Sequence, residues 1–280
     1  MGVSIVGLSP HPPLIIPEVG GERIKEVQKT VDSLRELSEE VVNSKPDLLI
    51  TISPHGPVFR DAIAVINSEI LRGDFRDFGV PQASYEVSSE PKFIDNLKEK
   101  ADNNDIKLVK LGRNELKSYG LNNELDHGVL VPLHYLKEVG LDIPVVVLSM
   151  GLLDYKTLYK FGTLLDETLK EMDINGAVIA SGDLSHRLKP GAPAGYNPKA
   201  EEFDKKLISL LAEENFKDIL NIDKNLIDKA GECGLRPLII ALGSIKDYEI
   251  KSDLKSYEGP FGVGYAVCSI KTGKERWYLC

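Results

Sequence analysis

Residues 48–57 read LLITISPHGP. Leu48 to Ile52 is almost wholly apolar and lacks the alternation of a half-exposed strand, so it reads as a strand buried on both faces, stopped by Ser53-Pro54. Upstream, Val27, Val31, Leu34, Leu37 and Val41 recur at spacings of three and four between charged residues. That spacing predicts an amphipathic helix from about Glu22 to Asn43, ended by Pro46-Asp47. The same alternation extends in both directions. Further strands are expected at Val3 to Leu8, Ala62 to Ile66, Ile106 to Leu111, Pro144 to Ser149, Ala177 to Ser181 and Val263 to Ile270. Helices are expected after Pro91, from Tyr155 to Met172, after Asn197-Pro198 and from about Gly234 to Leu242. Apolar strands alternating with amphipathic helices predict an α/β sandwich, with helices on both faces of the sheet. No linker or repeat divides the chain, so residues 1–280 are expected to form one domain.

Of the five histidines, two share a tripeptide: Ser-Pro-His recurs at His11 and His55, each just after an expected strand. His127 and His186 also fall at strand-to-loop or loop-to-helix junctions, while His134 reads as a helix-surface residue. Chemistry in α/β folds gathers at the carboxyl ends of strands, where these histidines lie. A proline before histidine fixes a turn and aims the imidazole at a defined point, as a metal ligand requires. Glu232, between Gly231 and Gly234 at a helix start, is open to two readings: an anionic third ligand, or a cap for the helix N-terminus. Two histidines and a carboxylate form the facial triad of non-haem iron sites, and nothing in the spacing selects Fe(II) over zinc. Fe(II) with one glutamate carries a net positive charge that suits a singly ionised catechol, and a histidine can move its second proton.

Composition narrows the function. Lys+Arg 34 against Asp+Glu 43 gives a net charge of -9, which disfavours nucleic acid and anionic lipid as partners. The three cysteines, Cys233, Cys268 and Cys280, are unclustered, so neither a disulfide framework nor a thiolate zinc site is indicated. The N-terminus lacks a basic leader, and prolines interrupt its apolar run, so a soluble, cytoplasmic protein is expected. No glycine-rich phosphate loop follows a strand, which leaves nucleotide use without support.

The segments SPHPP (9–13), SPHGP (53–57), LDHGVLVPL (125–133), SGDLSH (181–186) and GECG (231–234) occur in the order found in the class III, LigB-type extradiol ring-cleavage dioxygenases, and the chain resembles that family over most of its length. The nearest likeness is to the LigB-like domain of the AmmeMemoRadiSam group, which includes the Memo relatives. The resemblance implies a three-layer α/β/α sandwich around a mixed, largely parallel sheet, assembled as a homo-oligomer. It implies His11, His55 and Glu232 as ligands of Fe(II), His186 as general acid/base, and His127 as a hydrogen-bond partner of substrate or oxygen. Apart from the resemblance, Asp126 and Asp183, each close before a histidine, are open to two readings, orienting an imidazole or serving as turn and cap residues; Arg236 either binds a substrate carboxylate or faces solvent, and Tyr196 either lines the pocket or packs. The expected reaction is cleavage of a small aromatic, catechol-type ring with dioxygen. The alternatives are a zinc-dependent hydrolase on the same residues and a Memo-like metal-binding protein without turnover.

Overall fold

A computed structural model describes residues 1–119 and 124–276. Ten strands are present among them: β1 Gly2–Ser9, β2 Leu48–Ser53, β3 Ile63–Ile66, β4 Ile70–Phe75, β5 Val80–Ser88, β6 Leu108–Leu111, β7 Val145–Ser149, β8 Asn175–Ser181, β9 Tyr248–Glu258 and β10 Tyr265–Glu275. The helices are α1 Pro17–Gly20, α2 Gln28–Asn43, α3 Pro91–Asn103, α4 Arg113–Ser118, α5 His127–Glu138, α6 Tyr155–Glu171, α7 Lys199–Ala212, α8 Phe216–Ile219, α9 Lys224–Ala230 and α10 Leu235–Gly243.

Eight strands form one sheet in the order β6-β3-β7-β2-β8-β1-β10-β9, and β4 and β5 pair as a separate hairpin. The four central strands β7, β2, β8 and β1 are mutually parallel, while β10 runs antiparallel to β1 and β3 antiparallel to β7. Alternate residues of a strand face opposite layers. Leu48, Ile50 and Ile52 of β2 therefore meet Phe93 and Leu97 of α3, Phe161 and Leu165 of α6, and Leu238 of α10. Leu49 faces the other layer, with Val31, Leu34 and Leu37 of α2 and Val129 and Leu133 of α5. Helices cover the sheet on both sides, the three-layer α/β sandwich that the alternating pattern implied.

Several features differ from the sequence expectation. The β4–β5 hairpin and the edge strand β9 lie outside the expected strands, because charged and polar residues interrupt their apolar positions and most of their residues lie partly or fully exposed. The helix expected from Glu22 begins as a 3-10 turn over Gly21–Val27 and becomes α-helical at Gln28. His134 is not on the surface. It is 6% exposed, and its Nδ1 meets the Tyr85 hydroxyl of β5 at 2.6 Å. The reason is that α5 is walled in by the sheet on one side and by the hairpin on the other.

Candidate active site

The four central parallel strands all end on serine: Ser149, Ser53, Ser181 and Ser9, in their order across the sheet, and all four are buried. Ser53 stands level with Ser149, and Ser9 with Ser181. The loops that leave this edge carry the histidines. Ser181 Oγ lies 2.9 Å from His11 Nδ1, and Ser53 Oγ donates to Asp126 Oδ1 at 2.7 Å. Asp126 also caps α5, accepting from Gly128 N at 2.8 Å, and so sets the position of His127 at the first turn.

His11, His55 and His127 converge. Their ring centroids are 4.6 Å (His11–His55), 4.1 Å (His55–His127) and 5.4 Å (His11–His127) apart. The Nε2 atoms of His11 and His55 are 2.9 Å from each other. His186 completes the group from the loop after β8, its Nε2 lying 3.8 Å from both Asp183 Oδ2 and Cys233 Sγ. Asp183 is buried, and its Oδ1 also accepts from the backbone N–H of His11 at 3.1 Å.

Cys233 borders the histidine cluster. Its Sγ is 3.6 Å from His11 Nε2 and accepts from Asp183 N at 3.2 Å. Two backbones meet here: a Cβ on Gly182 would stand 2.1 Å from Gly234 Cα, so only glycine lets the turn before α10 close onto the end of β8. The Glu232 carboxylate accepts from the backbone N–H of Leu235, the first residue of α10, at 2.6 Å, while its charge also acts on His186. His11, His55 and Cys233 have donor atoms within 4.8 Å of one another, as do Asp183, His186 and Cys233; Glu232 belongs to neither group. Sequence reading missed Cys233 because its neighbours come from distant loops, and the one local signal is its place before the tight Gly234 contact.

Electrostatics divide the imidazoles. Burial lowers the His11 pKa to about 3, helped by the neighbouring His55, His127 and His186 and opposed by Asp183. Burial likewise lowers His55 and His127. For His186 burial is outweighed by the Asp183 carboxylate, and its pKa rises. Burial raises the pKa of Cys233 and Glu232. With Nδ1 engaged by Ser181 and its charge suppressed, His11 presents a neutral Nε2, the form that binds metals. Two imidazole nitrogens of like spacing and a sulfur beside them fit a borderline-soft divalent ion such as Fe(II) or Zn(II).

A cavity of about 340 Å³ opens beside His55 and His127. Leu71, Leu125, Leu130 and Phe78 supply apolar walls, and the Phe78 ring lies edge-on to His127 at 5.6 Å. Asp126 lines the cavity, whereas Arg236 and Tyr196 do not. Arg236 donates to the Leu153 carbonyl at 2.5 Å and lies 5.1 Å from the centre of the Tyr155 ring, and Tyr196 is 56% exposed. Among the described residues no helix is long and apolar enough to cross a membrane.

Residues 6–268 match the family described as the catalytic LigB subunit of aromatic ring-opening dioxygenase. Protein CA_C1420 of Clostridium acetobutylicum is 36% identical over 264 residues, which is 94% of this chain and 56% of that one, so the chain spans little more than half of this relative. The 3,4-dihydroxyphenylacetate 2,3-dioxygenase of Escherichia coli is 24% identical over 250 residues, covering 84% of this chain and 86% of that enzyme. The crystal structure of the uncharacterized protein JW3007 from Escherichia coli K12 shares the fold, with a TM-score of 0.62 at 17% identity over 96% of this chain and 100% of that one. The order of histidine-bearing loops around one sheet edge and the match across nearly the whole chain lead to one conclusion: this protein belongs to the LigB family of aromatic ring-opening dioxygenases.

Proposed function

We propose that the protein opens a catechol-type ring with dioxygen, at a divalent metal held by His11, His55 and a third donor from the adjacent pair Glu232 and Cys233. The supporting observation is the convergence of His11, His55 and His127, two of which, His55 and His127, line a cavity with apolar walls. Its volume falls in the range of roughly 300–1,000 Å³ typical of small-molecule sites. Fe(II), when bound, would supply the redox and Lewis-acid chemistry of ring opening. His186, with its pKa raised by Asp183, takes a phenolic proton from the diol and returns it to the opened product. His127 hydrogen-bonds the reacting oxygens, and Asp126 holds its helix in place. Leu71, Leu130 and Phe78 hold the ring and keep water from it. Asp183 acts through His186 and His11, orienting both. The free thiols of Cys233 and Cys268 suit a reducing cytoplasm.

The sulfur beside His11 supports a second reading, since thiolate favours zinc. A zinc site would serve a hydrolase, or a metal-binding protein without turnover. Anaerobic loading with Fe(II), then a panel of catechols and air, separates the readings. Oxygen uptake with a yellow ring-opened product is the expected result. Zinc retention with no oxygen uptake on any catechol would sink the dioxygenase reading.

A further inference from the structure

The cavity beside His55 and His127 carries a charge pattern that ring opening does not use. Four carboxylates line it, Asp74, Asp77, Glu124 and Asp126, against one cation, Arg76. Arg76 is already committed: Nη2 donates to Asp74 Oδ2 at 2.6 Å and Nε to Asp74 Oδ1 at 2.9 Å, a forked pair in which the two charges cancel. Asp126 is held by Ser53 and Gly128. Asp77 and Glu124 are exposed at the rim, and among the described residues neither forms an ion pair; each acts on Arg76 only through its field. Among the described residues lining it, a ligand side chain entering here meets uncompensated negative charge and no unpaired cationic side chain.

A separate feature marks the cavity as one built to hold a ligand. Ser149 lines it, is 1% exposed, and its Oγ has no hydrogen-bond partner. Position 56 is glycine, and a Cβ there would stand 1.9 Å from that oxygen, so the space beside the hydroxyl is left to a residue without a side chain. Buried hydroxyls are hydrogen-bonded as a rule, and an unpaired one on a cavity wall is completed by what binds there.

We propose that this cavity selects a catechol whose side chain carries a cationic amine and disfavours one whose side chain carries a carboxylate. The proposal rests on the ring-opening reading and adds the charge of the substrate to it. The ring lies against Leu71, Leu130 and Phe78, and the ammonium group faces Asp77 and Glu124. A carboxylate in the same place would meet those two anions with only Arg76 near, its charge already cancelled by Asp74.

The test is an anaerobic binding titration of the Fe(II)-loaded protein with three probes that share the diol: catechol, dopamine and 3,4-dihydroxyphenylacetate. At low salt dopamine is expected to bind about tenfold more tightly than 3,4-dihydroxyphenylacetate, and high salt is expected to compress that ratio. The double variant Asp77→Asn, Glu124→Gln is expected to bring the ratio close to one. A wild-type ratio at or below one overturns the proposal, as does a preference for dopamine that survives the double variant. If catechol binds with no charge preference among its derivatives, this proposal alone fails. If none of the three binds, the ring-opening reading fails and takes the proposal with it.

Discussion

Cys233 Sγ stands 3.6 Å from Nε2 of His11, at a point where the turn before α10 touches the end of β8. The neighbouring Glu232 spends its carboxylate on the first turn of α10. Both are candidates for the third donor, and substitution can tell them apart. Cys233→Ala is expected to weaken Fe(II) or Zn(II) binding by at least the roughly 10–100-fold that loss of a supporting partner costs. Glu232→Gln, which still offers an oxygen to Leu235 N, is expected to weaken it far less. Competition against a chromophoric chelator reads both, and the reverse order would transfer the third bond to the carboxylate.

His186 is separated from the His11–His55 pair by its raised pKa and its contact with Asp183. His186→Ala is expected to lower kcat on catechols by about 10²–10⁴-fold, the usual worth of a positioned acid/base group, with metal content unchanged. Oxygen uptake and metal analysis on the same sample check this. Undiminished kcat would remove His186 from proton transfer.

The contact of Gly182 with Gly234 admits no side chain. Gly182→Ala is expected to push the Cys233 turn away from β8, with a stability loss of about 1–3 kcal/mol and weaker metal binding. The urea midpoint and the chelator titration report the two effects. A variant as stable and as metal-avid as the parent would show that the turn yields without strain.

Asp204 lies under the His186 loop, accepting from Ser185 N at 2.9 Å and from the Tyr257 hydroxyl at 2.7 Å. Burial raises its pKa from 3.8 to about 6, outweighing those two hydrogen bonds. The folded state therefore holds this proton more tightly than the unfolded chain. Its stabilising effect is complete below pH 3.8 and is lost as pH rises through 6, a change of about 3 kcal/mol. Asp204→Asn is expected to abolish this dependence. The difference in unfolding free energy between parent and variant, followed from pH 4 to pH 7, should move steadily in favour of the variant; a flat difference would mean that Asp204 titrates normally.

The parts legible in the sequence are those where one local pattern dictates the structure. β2 and β8 are short apolar runs that fit only a strand covered on both faces, and α6 shows its buried stripe through Leu158, Phe161, Leu165 and Leus at later turns such as Leu169. The hairpin of β4 and β5 has no such pattern, because it lies outside the main sheet and leaves much of its surface to water. Missing it carried a second error: without Tyr85 of β5 overhead, nothing indicated that His134 was buried. The paired Ser-Pro-His tripeptides pointed to one sheet edge because each follows a strand directly. Cys233 gave no such sign, since a thiol alone in sequence acquires its neighbours only through the folding of the whole sheet.

His11 and Cys233 are 222 positions apart, and β1 takes its place between β8 and β10, strands from the later part of the chain. The two side chains can meet only once the strand nearest the N-terminus has been inserted among strands from the later part of the chain. The cluster around His11 is therefore a property of the finished sheet, and any loosening of β1 between its neighbours would disperse it.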